Sequence, residues 1–165
     1  MELKQAELVF LKKFFSLFVV LFALVLFAPL QPLLEAIAAA QAGILSFFGV
    51  AAVAQGTILH AGPLVFEIVN ECSSLVMLAM LVALLFAADG SRKINFVQAI
   101  AIAFPLLFAF NLLRLALTIG AGAAYGESVL EAVHFSLWIV DALVVLALWM
   151  KLSGIGLGTA SMGRV

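Results

Sequence analysis

The sequence predicts an all-α integral membrane protein, with about four transmembrane helices plus an outer-face amphipathic helix and a short hairpin. Three observations carry that prediction. Apolar residues make up 67% of the 165 residues and charged ones 10%. Soluble domains hold roughly 45–50% and about 25%, so the bilayer must be the solvent for much of this chain. Four apolar runs approach or reach the ~17–25 residues of a helical crossing. With four crossings drawn, every basic residue but one falls on the same side of the membrane.

The first run, 14–30, follows Lys4, Lys12 and Lys13 and ends at Pro29-Leu30. Leu26 and Phe27 before Ala28 lack the small-residue pattern of a signal-peptide cleavage site, so the run reads as an uncleaved helix. Residues 31–71 form an outer segment. Within it Gln31, Glu35, Ala38, Ala42, Ser46 and Gly49 recur at helical spacing as a polar and small face. Leu34, Ile37, Ile44, Leu45 and Phe48 fall elsewhere on the wheel, as in an amphipathic helix lying at the interface. Two β-like runs, 57–60 and 64–69, then flank the turn signal Ala61-Gly62-Pro63, which predicts a hairpin.

The second span, 73–88, stops at Asp89-Gly90-Ser91-Arg92-Lys93; the third is 94–119 and the fourth 135–152. Residues 1–152 thus form one membrane-embedded unit, and the small, Gly-rich stretch 153–165 reads as a flexible cytoplasmic tail. Residues 32–54 are long enough for a fifth crossing, but charge decides against it. Cytoplasmic loops carry an excess of Lys and Arg. Four spans with an inside N-terminus place Lys4, Lys12, Lys13, Arg92, Lys93, Lys151 and Arg164 inside, seven of the eight basic residues. A fifth crossing would move the last four outside.

The eighth is Arg114, about 20 residues or 30 Å along span three at ~1.5 Å per residue, near its outer end. By the same ruler Cys72, the only cysteine, precedes span two at its outer end, and His134 precedes span four. Three distant segments bring a thiol, a guanidinium and an imidazole to one depth. An adjacent cation favours thiolate, a histidine moves protons, and Arg stabilises a developing oxyanion. The blander readings are inert packing for Cys72, snorkelling for Arg114 and an idle interfacial imidazole for His134. Their coincidence at one depth weighs against all three holding together.

Asn111 lies one turn before Arg114 and either orients it or bonds a neighbouring helix. Asp141, two turns past His134 on one face, is an intramembrane carboxylate that calls for a partner. It either tunes His134 or is buried and neutral. Glu67, Asn70 and Glu71 lead into Cys72 as substrate-contacting candidates, whereas His60 reads as interfacial. One cysteine excludes a disulfide within the chain and any multi-cysteine metal site. A net charge of −1 gives no footprint for nucleic acid, and the chain contains no phosphate loop, HExxH or GxSxG.

Glu71-Cys72-Ser73-Ser74-Leu75, Asn111-Leu112-Leu113-Arg114-Leu115 and His134 together resemble the exosortase/archaeosortase family of multi-span membrane cysteine enzymes, best over 69–149. Two positions depart from the family pattern, Glu71 where a small residue commonly stands and Ser74 where Gly does. The resemblance implies Cys72 as nucleophile, Arg114 as transition-state or thiolate stabiliser and His134 as proton-transfer residue; Asn111, Asp141 and Glu71 are supporting candidates from their positions alone. It implies no metal or organic cofactor. Its substrates would be secreted proteins ending in a short motif, one transmembrane helix and a basic tail, cut at the outer face of the cytoplasmic membrane. Two other classes compete: a non-enzymatic membrane assembly protein, in which Cys72 would be dispensable, and a small transporter lined by Arg114, Asp141 and His134. No inverted repeat or broken-helix pair supports the transporter.

Overall fold

The computed structural model describes residues 2–88 and 96–153. Five helices and one small sheet follow in the order α1 (Glu2–Phe27), α2 (Gln31–Phe47), β1 (Ala52–Gln55), β2 (Ile58–Ala61), β3 (Leu64–Glu67), α3 (Leu75–Ala87), α4 (Phe96–Tyr125) and α5 (Glu127–Ser153). The chain is therefore mostly α-helical, as its composition predicts. Among the described residues, three helical stretches are long and apolar enough to cross a membrane: Glu7–Phe27, Phe96–Tyr125 and Glu127–Ser153.

The helix at the expected second span is shorter than the run 73–88 that announced it. At 13 residues, α3 is about 20 Å long at ~1.5 Å per residue. It is buried round most of its circumference, by Met77, Ala79, Leu81, Ala83, Leu84, Leu85 and Ala87, as befits a helix enclosed by others. The basic pair Arg92-Lys93, Arg164 and the expected tail from 154 on lie outside the described residues.

The other helices outrun the apolar segments that announced them. α1 begins at Glu2, because the polar stretch before residue 14 consists largely of good helix formers. The expected outer loop 120–134 is a one-residue hinge. α4 continues through Gly120–Tyr125 and α5 starts at Glu127, with Gly126 between them at φ +92. Hydropathy marks where apolarity falls, not where hydrogen bonding stops. Ala121, Ala123 and Ala124 favour helix, and Glu127 in the first turn of α5 suits the helix dipole.

The hairpin is present and larger than expected. β2 and β3 pair antiparallel with Ala61 opposite Leu64, around a two-residue turn in which Gly62 takes φ +57. β1 adds a third strand, giving the order β1-β2-β3. Its Ala-Val-Ala-Gln sequence carries too little β-branched or aromatic character to announce a strand.

α2 packs on this sheet and on α4, burying Leu34, Ile37, Ala38, Gln41 and Leu45. Ala38 thus belongs to the buried stripe and not to the polar face. The polar Gln41 sits at its centre, donating from Nε2 to the carbonyl of Leu112 at 2.9 Å.

Two apolar cores result. One joins α2, the sheet, Leu115 and Ile119; the other joins Met77, Leu81, Leu84 and Leu85 of α3 to Ala99, Ala103 and Leu107 of α4 and Val145 of α5. The buried positions of α4 climb in steps of three or four, through Ala99, Ala103, Leu107, Asn111, Arg114 and Thr118, with Leu115 beside Arg114. The polar interruption at Asn111 and Arg114 falls at the seam between the cores.

Candidate active site

Cys72 ends a 3-10 turn, Asn70–Cys72, in the short link between β3 and α3. Side chains hold that turn on two sides. Asn70 Nδ2 lies 2.9, 2.9 and 3.1 Å from the carbonyls of Val25, Leu26 and Ala28, capping the end of α1, where carbonyls lack helical partners. Asn111 Nδ2 donates to the carbonyl of Cys72 at 2.7 Å, fixing the turn to α4. Ser73 Oγ closes the local loop by donating to the Asn70 carbonyl at 2.6 Å. Asn70 is more than a residue leading into Cys72; it ties α1 to the turn. A half-buried asparagine beside a helix end gave no signal that sequence spacing could read.

One helical turn beyond Asn111, Arg114 is 6% exposed and donates from Nη1 to Asp141 Oδ2 at 2.5 Å. Arg114, not His134, is thus the partner that the Asp141 carboxylate called for. Arg114 Nε and Asp141 Oδ1 are buried without a hydrogen bond. Thr118 Oγ1 donates to the Arg114 carbonyl at 3.0 Å.

A cavity of about 330 Å³ lies against this pair, between α1, α3, α4 and α5. Glu71, Ser73, Asn111, Arg114 and Asp141 form its polar wall, and apolar residues such as Phe22, Met77 and Trp138 form the rest.

Glu71, Asn111, Arg114 and Asp141 therefore gather round one space, but Cys72 and His134 do not line it. The Cys72 side chain is half-buried against the sheet-side core, although both its sequence neighbours face the cavity. His134 does not open the last helix; α5 begins seven residues earlier. Counted from the Gly126 hinge, His134 is eight residues along α5 and Arg114 twelve back along α4, an offset of about 6 Å. The His134 ring packs on Trp138 at 5.5 Å between centroids, and Trp138 lines the cavity. No hydrogen bond joins Cys72 Sγ to the Arg114 or His134 side chain among the described residues. His60 stands on the exposed face of β2, opposite Val53 and Val65.

Burial pushes the Cys72 thiol above its ordinary range. A hydrogen bond with the Val69 backbone and the Arg114 charge pull it back, while the Glu71 charge adds to the rise. At neutral pH this sulfur is a thiol awaiting a base. No group of three or more His, Cys, Asp or Glu side chains suited to a metal ion occurs among the described residues.

The fold and the seam define a helical membrane protein that holds one thiol next to a cavity with a buried guanidinium–carboxylate pair. The chain belongs to the transmembrane exosortase family, whose model matches residues 3–152. Membership supports a membrane transpeptidase- or peptidase-type role acting on a protein substrate. The chain matches no curated protein and no solved structure.

Proposed function

We propose that this chain is a membrane cysteine peptidase or transpeptidase that cleaves the C-terminal sorting signal of secreted proteins at the outer face of the cytoplasmic membrane, with both termini inside. The observation that carries the reading is the clamp between Cys72 and α4. Asn111 holds the Cys72 carbonyl one turn from Arg114, which lines the cavity.

In this mechanism the Cys72 side chain turns from the sheet-side core towards the cavity that Glu71 and Ser73 already face. His134 accepts the Sγ proton. The Sγ–carbon bond forms as the carbonyl π pair moves to oxygen, and Arg114 Nη2 stabilises that oxyanion, a role worth ~2.7–4 kcal/mol when one such donor is removed. The scissile C–N bond then breaks, and the leaving amine takes the proton from His134. The thioester is resolved by an acceptor nucleophile or by water. Asp141 Oδ2 holds Nη1, aligning the guanidinium.

The test is co-expression with a secreted reporter ending in a sorting motif, an apolar helix and a basic tail. Wild type should shorten the reporter; Cys72→Ala should not, and Arg114→Ala and His134→Ala should each slow cleavage by at least a hundredfold. Normal processing by Cys72→Ala ends the proposal.

A further inference from the structure

The cavity beside Arg114 offers two different surfaces. Most of its wall is apolar, including Val76, Met80 and Ala142 as well as the residues named above. Two of its lining residues carry buried polar atoms without partners, the donor Arg114 Nε and the acceptor Asp141 Oδ1. An unpaired buried donor or acceptor is costly, and native proteins seldom leave one so. An unpaired donor and an unpaired acceptor on two lining residues of a largely apolar cavity specify what can satisfy them.

A lipid tail fills the apolar part and leaves both polar atoms unpaired. Water pairs with the polar atoms and wets an apolar wall. One residue of a peptide does both, through an apolar side chain and a peptide group offering C=O to Nε and N–H to Oδ1. Such a peptide group is available only where the chain is not helical, because within a helix its N–H and C=O bond each other's turns.

The approach to the cavity fits the same occupant. α1 and α5 meet at one end, where the Phe10 and Trp149 rings stand 6.2 Å apart. Further along, Phe22 of α1 and Trp138 of α5 both line the cavity. A substrate helix that lies along these two helices can unwind its preceding segment into the cavity.

We propose that the cavity is a specificity subsite. It seats one bulky apolar residue of the substrate, in an extended stretch next to the bond that Cys72 attacks, with that residue's peptide group set against Arg114 and Asp141. The inference rests on the proposed peptidase reading and names a substrate feature that reading leaves open.

The experiment compares C-terminal peptides, free or joined to an acceptor, by mass spectrometry in cells deleted for the gene and supplied with variants. Wild type against Cys72→Ala defines the termini that depend on the thiol. Those termini should share a bulky apolar residue at one fixed position beside the cut. Ala142→Leu, which narrows the cavity, should lower the yield of termini with the largest residue there at least tenfold and spare the smaller ones. Met80→Ala, which widens it, should shift the set towards larger residues, and it carries the test alone if Ala142→Leu does not accumulate. A Cys72-dependent set whose residue spectrum is unchanged by Met80→Ala overturns the subsite and leaves the peptidase reading standing. The absence of any Cys72-dependent termini overturns both.

Discussion

The two cores of this molecule share one helix and are built against different surroundings. On the sheet side, α4 meets α2 and three strands whose outer edges, β1 and β3, have no neighbouring strand. Open sheet edges do not face hydrocarbon, because their N–H and C=O groups would go unpaired. Leu59 and Ile37 are therefore packed away from an aqueous or interfacial medium. On the bundle side, the outward faces stay apolar, as with Val19 at 60% and Leu143 at 59% exposed, since lipid is an adequate partner for them. The seam between the cores is solvated by neither, and there the chain places Asn111, Arg114 and Asp141. The difference teaches why polar chemistry stands at that level: it is where the packing changes from water-driven to lipid-compatible.

The sharpest test of the seam breaks its ion pair. Removing one member of a buried pair leaves an uncompensated charge and costs about 3–5 kcal/mol, whereas replacing both by apolar groups is often neutral or better. Arg114→Met and Asp141→Leu should each lower the thermal unfolding midpoint in detergent by more than the double variant does. Additive losses would mean that the two residues do not act as a unit. For activity the double variant should be inactive despite its stability, which separates the pair's task from its effect on folding.

The cores themselves can be compared by matched truncations. Leu59 and Leu81 are both fully buried. Leu59→Ala should cost about 2–5 kcal/mol, the usual penalty in a core shielded from water. Leu81→Ala should cost roughly half as much, because helices in a membrane lose packing contacts but no hydrophobic transfer energy. Equal losses, measured by denaturation in the same detergent, would remove the distinction between the cores.

How much of this was legible in the sequence follows the same division. Bundle helices announce themselves by unbroken apolarity, so α1, α4 and α5 were readable in kind, though their ends were not. α3 is shorter than the apolar run that announced it, and composition does not reveal that it is enclosed on most sides. On the sheet side, the Gly62-Pro63 turn was legible from its chemistry, while β1 and the buried Gln41 were not. Cys72, Asn111, Arg114 and Asp141 could each be singled out as polar groups in apolar surroundings. Their pairing could not, because Asp141 shares a helix face with His134 and only the fold shows that Arg114 reaches it first.

Asn111 supplies a smaller effect at the seam. It is 1% exposed and its Nδ2 holds the Cys72 carbonyl. Asn111→Ala leaves that carbonyl without this donor, at a cost of about 1–3 kcal/mol. Cleavage of the reporter should fall further than the stability loss alone explains, because the turn carrying the nucleophile loses its tie to Arg114's helix. A fall in step with the amount of folded protein would reduce Asn111 to a packing role.

The smallest effects concern the thiol. Since burial holds the Cys72 thiol above its ordinary range, raising the pH increases the thiolate fraction. Its alkylation rate should climb about tenfold per pH unit and show no plateau near pH ~8.5, where an ordinary thiol is half ionised. A plateau at or below that pH would mean that Arg114 outweighs burial. Glu71 adds to the upward push on the thiol, so Glu71→Gln should speed alkylation at fixed pH by roughly twofold, the scale of an exposed charge interaction. Slower alkylation in that variant would instead make Glu71 a group that draws the proton from sulfur, and would move the base from α5 to the turn that carries Cys72.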